Sequence, residues 1–132
     1  MSVSDPIADL LTRMRNNIMN HSQVVRVPFS KLKTQILEVF KREGFVRNFE
    51  VVSEDNKKDI LVYLKYADNG ASVISKLERV SKPGCRIYSK ATEVKPVLNG
   101  LGMSVVTTAK GVLSDRECRA QNVGGEVICE IW

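Results

Sequence analysis

The chain has 132 residues, 43% hydrophobic and 27% charged, and a formal net charge of +5 at pH 7. That composition suits a folded core, not a disordered tail, and the length fits one compact unit or two small lobes. No apolar run approaches the ~20 residues of a membrane helix, the start "MSVSDPIADLL" has no basic segment leading into an apolar one, and Cys85, Cys118 and Cys129 lack the spacing of a zinc site or disulfide framework.

"DPIADLLTRMRNNIMN" reads as a helix with Asp5 as N-cap and Pro6 at the first helical position. Ile7, Leu10, Leu11, Met14 and Ile18 recur at helical spacing and form a core-facing stripe. "VVRVP", Val24 to Pro28, is a short strand. "SKLKTQILEVFKREG" is a second helix with Ser30 as N-cap and Gly44 as its stop. "FVRNFEVV" and "DILVYLKY" are two strands separated by the polar turn "SEDNKKD". "ADNGAS" is a loop. "SVISKLERV" and "CRIYSK" are strands flanking "SKPG", read as a type II turn. "TEVKPVLNG" is a short helical piece capped by Thr92 and ended by Gly100. "MSVVTT" is a strand. Ser114 opens a short helix, with Glu117 completing a capping box. "EVICEIW" is the last strand. The expected fold is α+β in two small lobes: an N-terminal α-β-α-β-β lobe over 1–66, and a C-terminal lobe over 67–132, mainly β with short helices.

Catalytic signatures are lacking. The single histidine, His21, lies in a polar stretch with no adjacent nucleophile or carboxylate pair, which reads as a surface residue. No phosphate-binding loop, nucleophile elbow or H-E-x-x-H occurs. "GLG" is too short for a dinucleotide fingerprint. Asp115 with Glu117 resembles an acid pair, but the capping box already accounts for Glu117. No catalytic residue, metal ligand or cofactor is expected.

The basic balance, with an isoelectric point near 9.2, favours an anionic partner, nucleic acid foremost. Lys31 and Lys33 fall in the first turn of the second helix, where free N–H groups also attract phosphate; two solvated lysines fit the pattern equally well. From Lys76 to Lys95, six Lys/Arg face two acids, a net charge of +4. Within that stretch Arg86, Tyr88 and Lys90 alternate, which puts them on one strand face able to grip a backbone and meet a base; a solvated outer face is the plainer reading. In "VVTTAKGVLSD", Thr107 and Thr108 end a strand, Lys110 can reach phosphate, and Gly111 permits an unusual backbone angle. Hydroxyls that both donate and accept suit the 2′-hydroxyls and base edges of an RNA minor groove. A simple strand end would also look like this.

Several segments together carry a resemblance: "DPIADLLTRMRN", "VPFSKLK" with the later "EGF", "RVSKPGCRIY", "VLNGLGMSVVTT", "KGVLSD" and "NVGGEVICEIW". In this order and spacing the chain resembles bacterial-type small-subunit ribosomal protein eight over nearly its whole length. The resemblance implies two α/β lobes and a non-enzymatic protein of the small subunit. It implies binding to the central domain of small-subunit rRNA early in assembly, where it helps organise the platform. The implied contacts are Thr107, Thr108, Ala109 and Lys110, entering a distorted minor groove; Gly124 and Glu126; and Ser30, Lys31 and Lys33 from the N-terminal lobe. Arg86, Tyr88 and Lys90 join them from the charge pattern. The family usually has serine where this chain has Thr107 and Ala109, so contact at Ala109 falls to backbone and van der Waals forces. An acid at Glu126 repels phosphate, so it is expected to orient a turn or accept from a base amino group. Cys118 stands where the family prefers a smaller residue.

Implied partners are the rRNA central domain, the fifth and twelfth small-subunit proteins and, as in some bacterial members, the messenger RNA of its own operon. No membrane is implied. The expected location is the ribosome, cytoplasmic or organellar. The rival readings are a translational regulator acting outside the ribosome, a module whose basic face binds acidic proteins, and, more distantly, a hydrolase.

Overall fold

The structure, a computed structural model, describes residues 5–132. Its elements run α1 (Pro6–Met19), β1 (Val24–Pro28), α2 (Lys31–Arg42), β2 (Val46–Glu54), β3 (Lys57–Leu64), β4 (Leu77–Arg79), β5 (Tyr88–Ser89), a 3-10 turn (Val97–Gly100), β6 (Met103–Thr108), β7 (Gly111–Ser114), α3 (Asp115–Gln121) and β8 (Gly125–Ile131). This is an α+β fold with two antiparallel sheets. The chain forms two compact units. One is Ile7–Ser75; the other is Lys76–Trp132 together with Asp5 and Pro6.

In the first unit the sheet order is β1-β3-β2. β1 alternates exposed and buried residues, so one sheet face is dry. Val25, Val27, Ile60, Val62 and Leu64 supply that face, and Leu10, Leu11, Met14, Ile36, Leu37 and Phe40 of the two helices are equally buried. α1 ends where His21 adopts φ +55, with Ser22 N–H donating to the Asn17 carbonyl. The β2–β3 turn is shorter than the sequence pattern suggested. Asp55 and Asn56 both take positive φ, 50° and 63°, which makes a two-residue hairpin turn. The strands therefore run on through Ser53↔Lys58 and Glu54↔Lys57. Asp and Asn tolerate the left-handed region better than other non-glycine residues, so two positions suffice where seven were expected.

The second unit has the strand order β4-β8-β6-β7, and β5 lies beyond β4 along the same edge of β8. Val94, Val106, Leu113 and Cys118 form a core cluster with Val123 and Val127 against it. Cys118 is thus a packing residue. Burial raises its thiol above the ordinary range, and pushes that of Cys129 up to about 12. α3 begins at a complete capping box between Ser114 and Glu117. Buried Asp115 accepts from the Ser104 amide at 3.2 Å and pairs with Arg119 at 3.0 Å, tying the helix start to β6. Arg79 pairs with Asp5 at 3.2 Å and donates to the Ile128 carbonyl at 2.7 Å.

Four local readings need correction here. The helical piece beginning at Thr92 is absent: only Val97–Gly100 closes a single 3-10-type turn, with Leu98 and Asn99 in the left-handed region, and Pro96 precedes it. Pro96 disfavours helical geometry at Lys95 and so cuts the pattern. The turn after Ser81 closes by mutual backbone bonds between Lys82 and Cys85, but Gly84 lacks the positive φ that a type II turn needs. The flanking strands are also short, three and two residues, because each pairs with a separate stretch of β8 instead of with the other. Gly111–Ser114, not read as a strand from the sequence, is β7.

One cross-strand pair is unfavourable. Glu78 lies directly opposite Glu130. Burial first, then Glu78 and Asp115, raise the Glu130 carboxyl above the ordinary value. A raised folded-state pKa means stability present at low pH is lost as pH rises through it. Glu130→Gln is expected to stabilise the protein at pH 7 by about 0.5–1 kcal/mol, with the gain vanishing below about pH 4; urea denaturation at both pH values reads this directly.

Candidate nucleic-acid interface

The polar end of the second sheet is built around the start of β8. Tyr88↔Glu126 and Glu126↔Thr107 are register partners, as are Ser89↔Gly125 and Gly125↔Thr108. β7 continues the rows with Val112 opposite Thr107 and Gly111 opposite Thr108. Two patches separated by some twenty residues of sequence thus become one ladder. Tyr88, Glu126 and Thr107 share one face; Ser89, Gly125 and Thr108 share the other. The Ala109–Lys110 turn protrudes beyond it, and both residues are exposed.

This closeness requires glycine. A Cβ on Gly125 would sit 2.0 Å from the Thr107 carbonyl oxygen, and one on Gly124 would sit 2.3 Å from that of Ser89. Gly124 therefore has a packing role beside any role at the surface.

The two threonines differ. Thr108 Oγ1 accepts from the Lys110 amide at 3.1 Å and donates to the Gly111 carbonyl at 2.8 Å. Its hydroxyl builds the turn and holds Lys110 outward, while Gly111 takes φ +115. Thr107 Oγ1 is buried and has no hydrogen-bond partner.

Glu126 behaves as a turn-orienting acid. Its Oε2 accepts from Ser81 Oγ and, at 2.9 Å, from Arg86 Nη1. Burial opposes its ionisation, but these hydrogen bonds and Arg86 outweigh it, leaving the carboxyl below the ordinary value. Arg86 is held above its ordinary value by the same contact. Tyr88 is 69% exposed. Arg86, Tyr88 and Lys90 do not share a strand face: β5 holds only Tyr88 and Ser89, Arg86 lies before it, and Lys90 opens a turn in which its carbonyl accepts from the Glu93 and Val94 amides. Its side chain is nonetheless at the surface.

In the first unit, Ser30 caps α2 by accepting from the Lys33 amide at 3.1 Å. Lys31 is exposed. Lys33 is not: only 4% of it is accessible, and its ammonium donates to the Pro28 carbonyl at 3.0 Å. Burial pulls its pKa below the ordinary value, Asp9 opposing and Arg13 adding to the effect. Helical spacing explains the difference, since position 33 faces the core with Ile36, Leu37 and Phe40. Two contributors escape the sequence reading. Lys58 sits 5.4 Å over the ring of half-exposed Phe29, beside Ser30 and Lys31. Ser81, fully buried, joins the Glu126 network; a serine in a loop offers no periodic signal for that.

The match to the family described as Ribosomal protein S8 covers residues 5–132. The chain belongs to this family of small-subunit ribosomal proteins. Among S8 relatives, the small ribosomal subunit protein uS8 of Streptococcus uberis is 52% identical over 132 residues, all of both chains. That of Streptococcus thermophilus is 51% identical over the same span, and that of Solibacter usitatus 49% identical over 98% of each chain. As an S8 protein the chain is a structural ribosomal component and not an enzyme. No helix among the described residues is long and apolar enough to cross a membrane.

The two threonines should separate in a stability measurement. Thr107→Val removes an orphaned buried hydroxyl at nearly constant volume and is expected to stabilise the free protein by about 1 kcal/mol. Thr108→Val breaks two turn bonds and is expected to destabilise by about 1 kcal/mol. Urea midpoints moving in opposite directions would bear this out; a parallel loss would mean that Thr107 is satisfied in solution.

Proposed function

We propose that the sheet edge formed by β5, the start of β8 and the β6–β7 turn binds the central domain of small-subunit rRNA, and that the protein thereby helps assemble the platform. The observation carrying this reading is the single ladder of Tyr88, Glu126 and Thr107 with the Ala109–Lys110 turn at its end. A narrow edge with an exposed aromatic ring, a backbone turn and flanking lysines fits a wide, shallow RNA minor groove. Few of its groups suit the direct reading of base identity, so it would select RNA by shape. Lys31, Lys90 and Lys110 would position the protein through phosphates, and the turn and Tyr88 would supply discrimination.

The same edge would accept a messenger segment of equivalent shape, the route by which the protein would regulate its own operon. Within a cytoplasmic ribosome the remaining surface would meet neighbouring small-subunit proteins, the fifth and twelfth among them.

Paired variants test the division of labour. Lys31→Ala should weaken binding to the central-domain helix and to a regular RNA duplex alike, reducing the slope of log affinity against log salt by about one. Lys33→Met should leave that slope unchanged, because its ammonium is spent on Pro28. Thr108→Val should weaken the central-domain helix by about tenfold while leaving the regular duplex within about twofold. Equal losses on both RNAs for Thr108→Val would remove the turn as the reader.

A further inference from the structure

Ser81 has the chemistry of a positioning group. It is fully buried, and a buried hydroxyl is costly unless its hydrogen-bonding capacity is used. Here it donates to Glu126 Oε2 and accepts from the Ile87 amide at 3.1 Å. The same carboxylate oxygen takes the Arg86 guanidinium at 2.9 Å. Backbone bonds frame this centre: the Ser81 amide donates to the Val127 carbonyl at 3.1 Å, and the Val127 amide donates to the Ile87 carbonyl at 2.9 Å. Both ends of segment 81–87 are therefore stitched to Val127, the residue of β8 next to Glu126, and Tyr88 follows immediately as the exposed partner of Glu126 in the ladder.

Resting on the reading of this edge as an RNA-binding surface, we propose that Ser81 is its positioning residue. Ser81 does not touch RNA. It fixes the Glu126 carboxylate, which in turn holds the Arg86 guanidinium in one orientation beside Tyr88. An arginine held this way has its charge compensated in place. Its planar face and remaining N–H donors are set before RNA arrives, so less ordering is required on binding. Arg86 then serves discrimination between RNA shapes and adds little to counterion release. If Ser81 only filled space, alanine would serve nearly as well.

The test uses the full-length protein as wild type, Ser81→Ala, Arg86→Met and the double variant. Each is titrated with an irregular central-domain rRNA helix and with a regular duplex of equal length, across a salt series. Ser81→Ala should weaken the irregular helix by about tenfold, leave the duplex within about twofold, and not change the salt slope. In the Arg86→Met background the same change should cost less than about twofold, because the positioned group is gone. A loss that is additive with Arg86→Met, or equal on both RNAs, overturns the positioning role. If Ser81→Ala does not fold, Ser81→Cys replaces it: the thiol fills the buried position but is only a weak donor to Glu126, and the same coupling with Arg86→Met is expected. A wild type that does not distinguish the two RNAs brings down the RNA-reading edge itself, and this role with it. A discriminating wild type with an additive Ser81 effect brings down this role alone.

Discussion

The arrangement rests on how closely three backbones approach at the start of β8. β8 lies between β5 and β6 there, and Gly124 and Gly125 face carbonyl oxygens of both neighbours at distances that no Cβ could occupy. Without those glycines Tyr88 and Thr107 could not be register partners of one residue. Everything attributed to the edge follows from that: one ladder instead of two patches, Glu126 at its middle, and a turn projecting beyond its end.

Polar groups at the two candidate patches divide into those consumed by the protein and those left at its surface. Thr108, Ser81, Glu126 and Lys33 have their hydrogen bonds inside the fold. Lys31, Lys90, Lys110 and Tyr88 stay exposed. The consumed groups give shape and the exposed ones give charge and contact area. On the proposed reading, this division would let a protein of modest net charge discriminate among RNAs that all carry the same phosphates, because charge alone attracts them equally. Arg86 belongs to both sets, being exposed yet tied to Glu126.

Much of this was legible in the sequence, and what was not has local causes. Helical periodicity located α1 and α2, short valine-rich runs located β1 and β6, and the Ser-x-x-Glu pattern located α3. The hydroxyl-rich turn and the family resemblance both pointed to the region of Thr107 to Lys110, and the charge pattern to that of Arg86 to Lys90. The burial of Lys33 was hidden because lysine reads as polar wherever it stands, although its helical position placed it with the core. Arg86 and Lys90 were assigned to a strand by alternation, a signal that cannot show where pairing starts or stops. The shared register of Tyr88 and Thr107 is a long-range property: it depends on β8 arriving between them from some twenty residues further along, and no local pattern encodes it. Ser81 was missed for the same reason, since its partner Glu126 is distant in sequence.

On the proposed reading, this edge selects RNA by shape and not by charge alone. The most direct measurement titrates the purified wild-type protein against the central-domain rRNA helix and a regular duplex of equal length as salt is raised. A preference for the rRNA helix that persists when nonspecific binding has been screened away is the predicted result. Equal affinities that fall together with salt would contradict it and leave net charge as the only attraction.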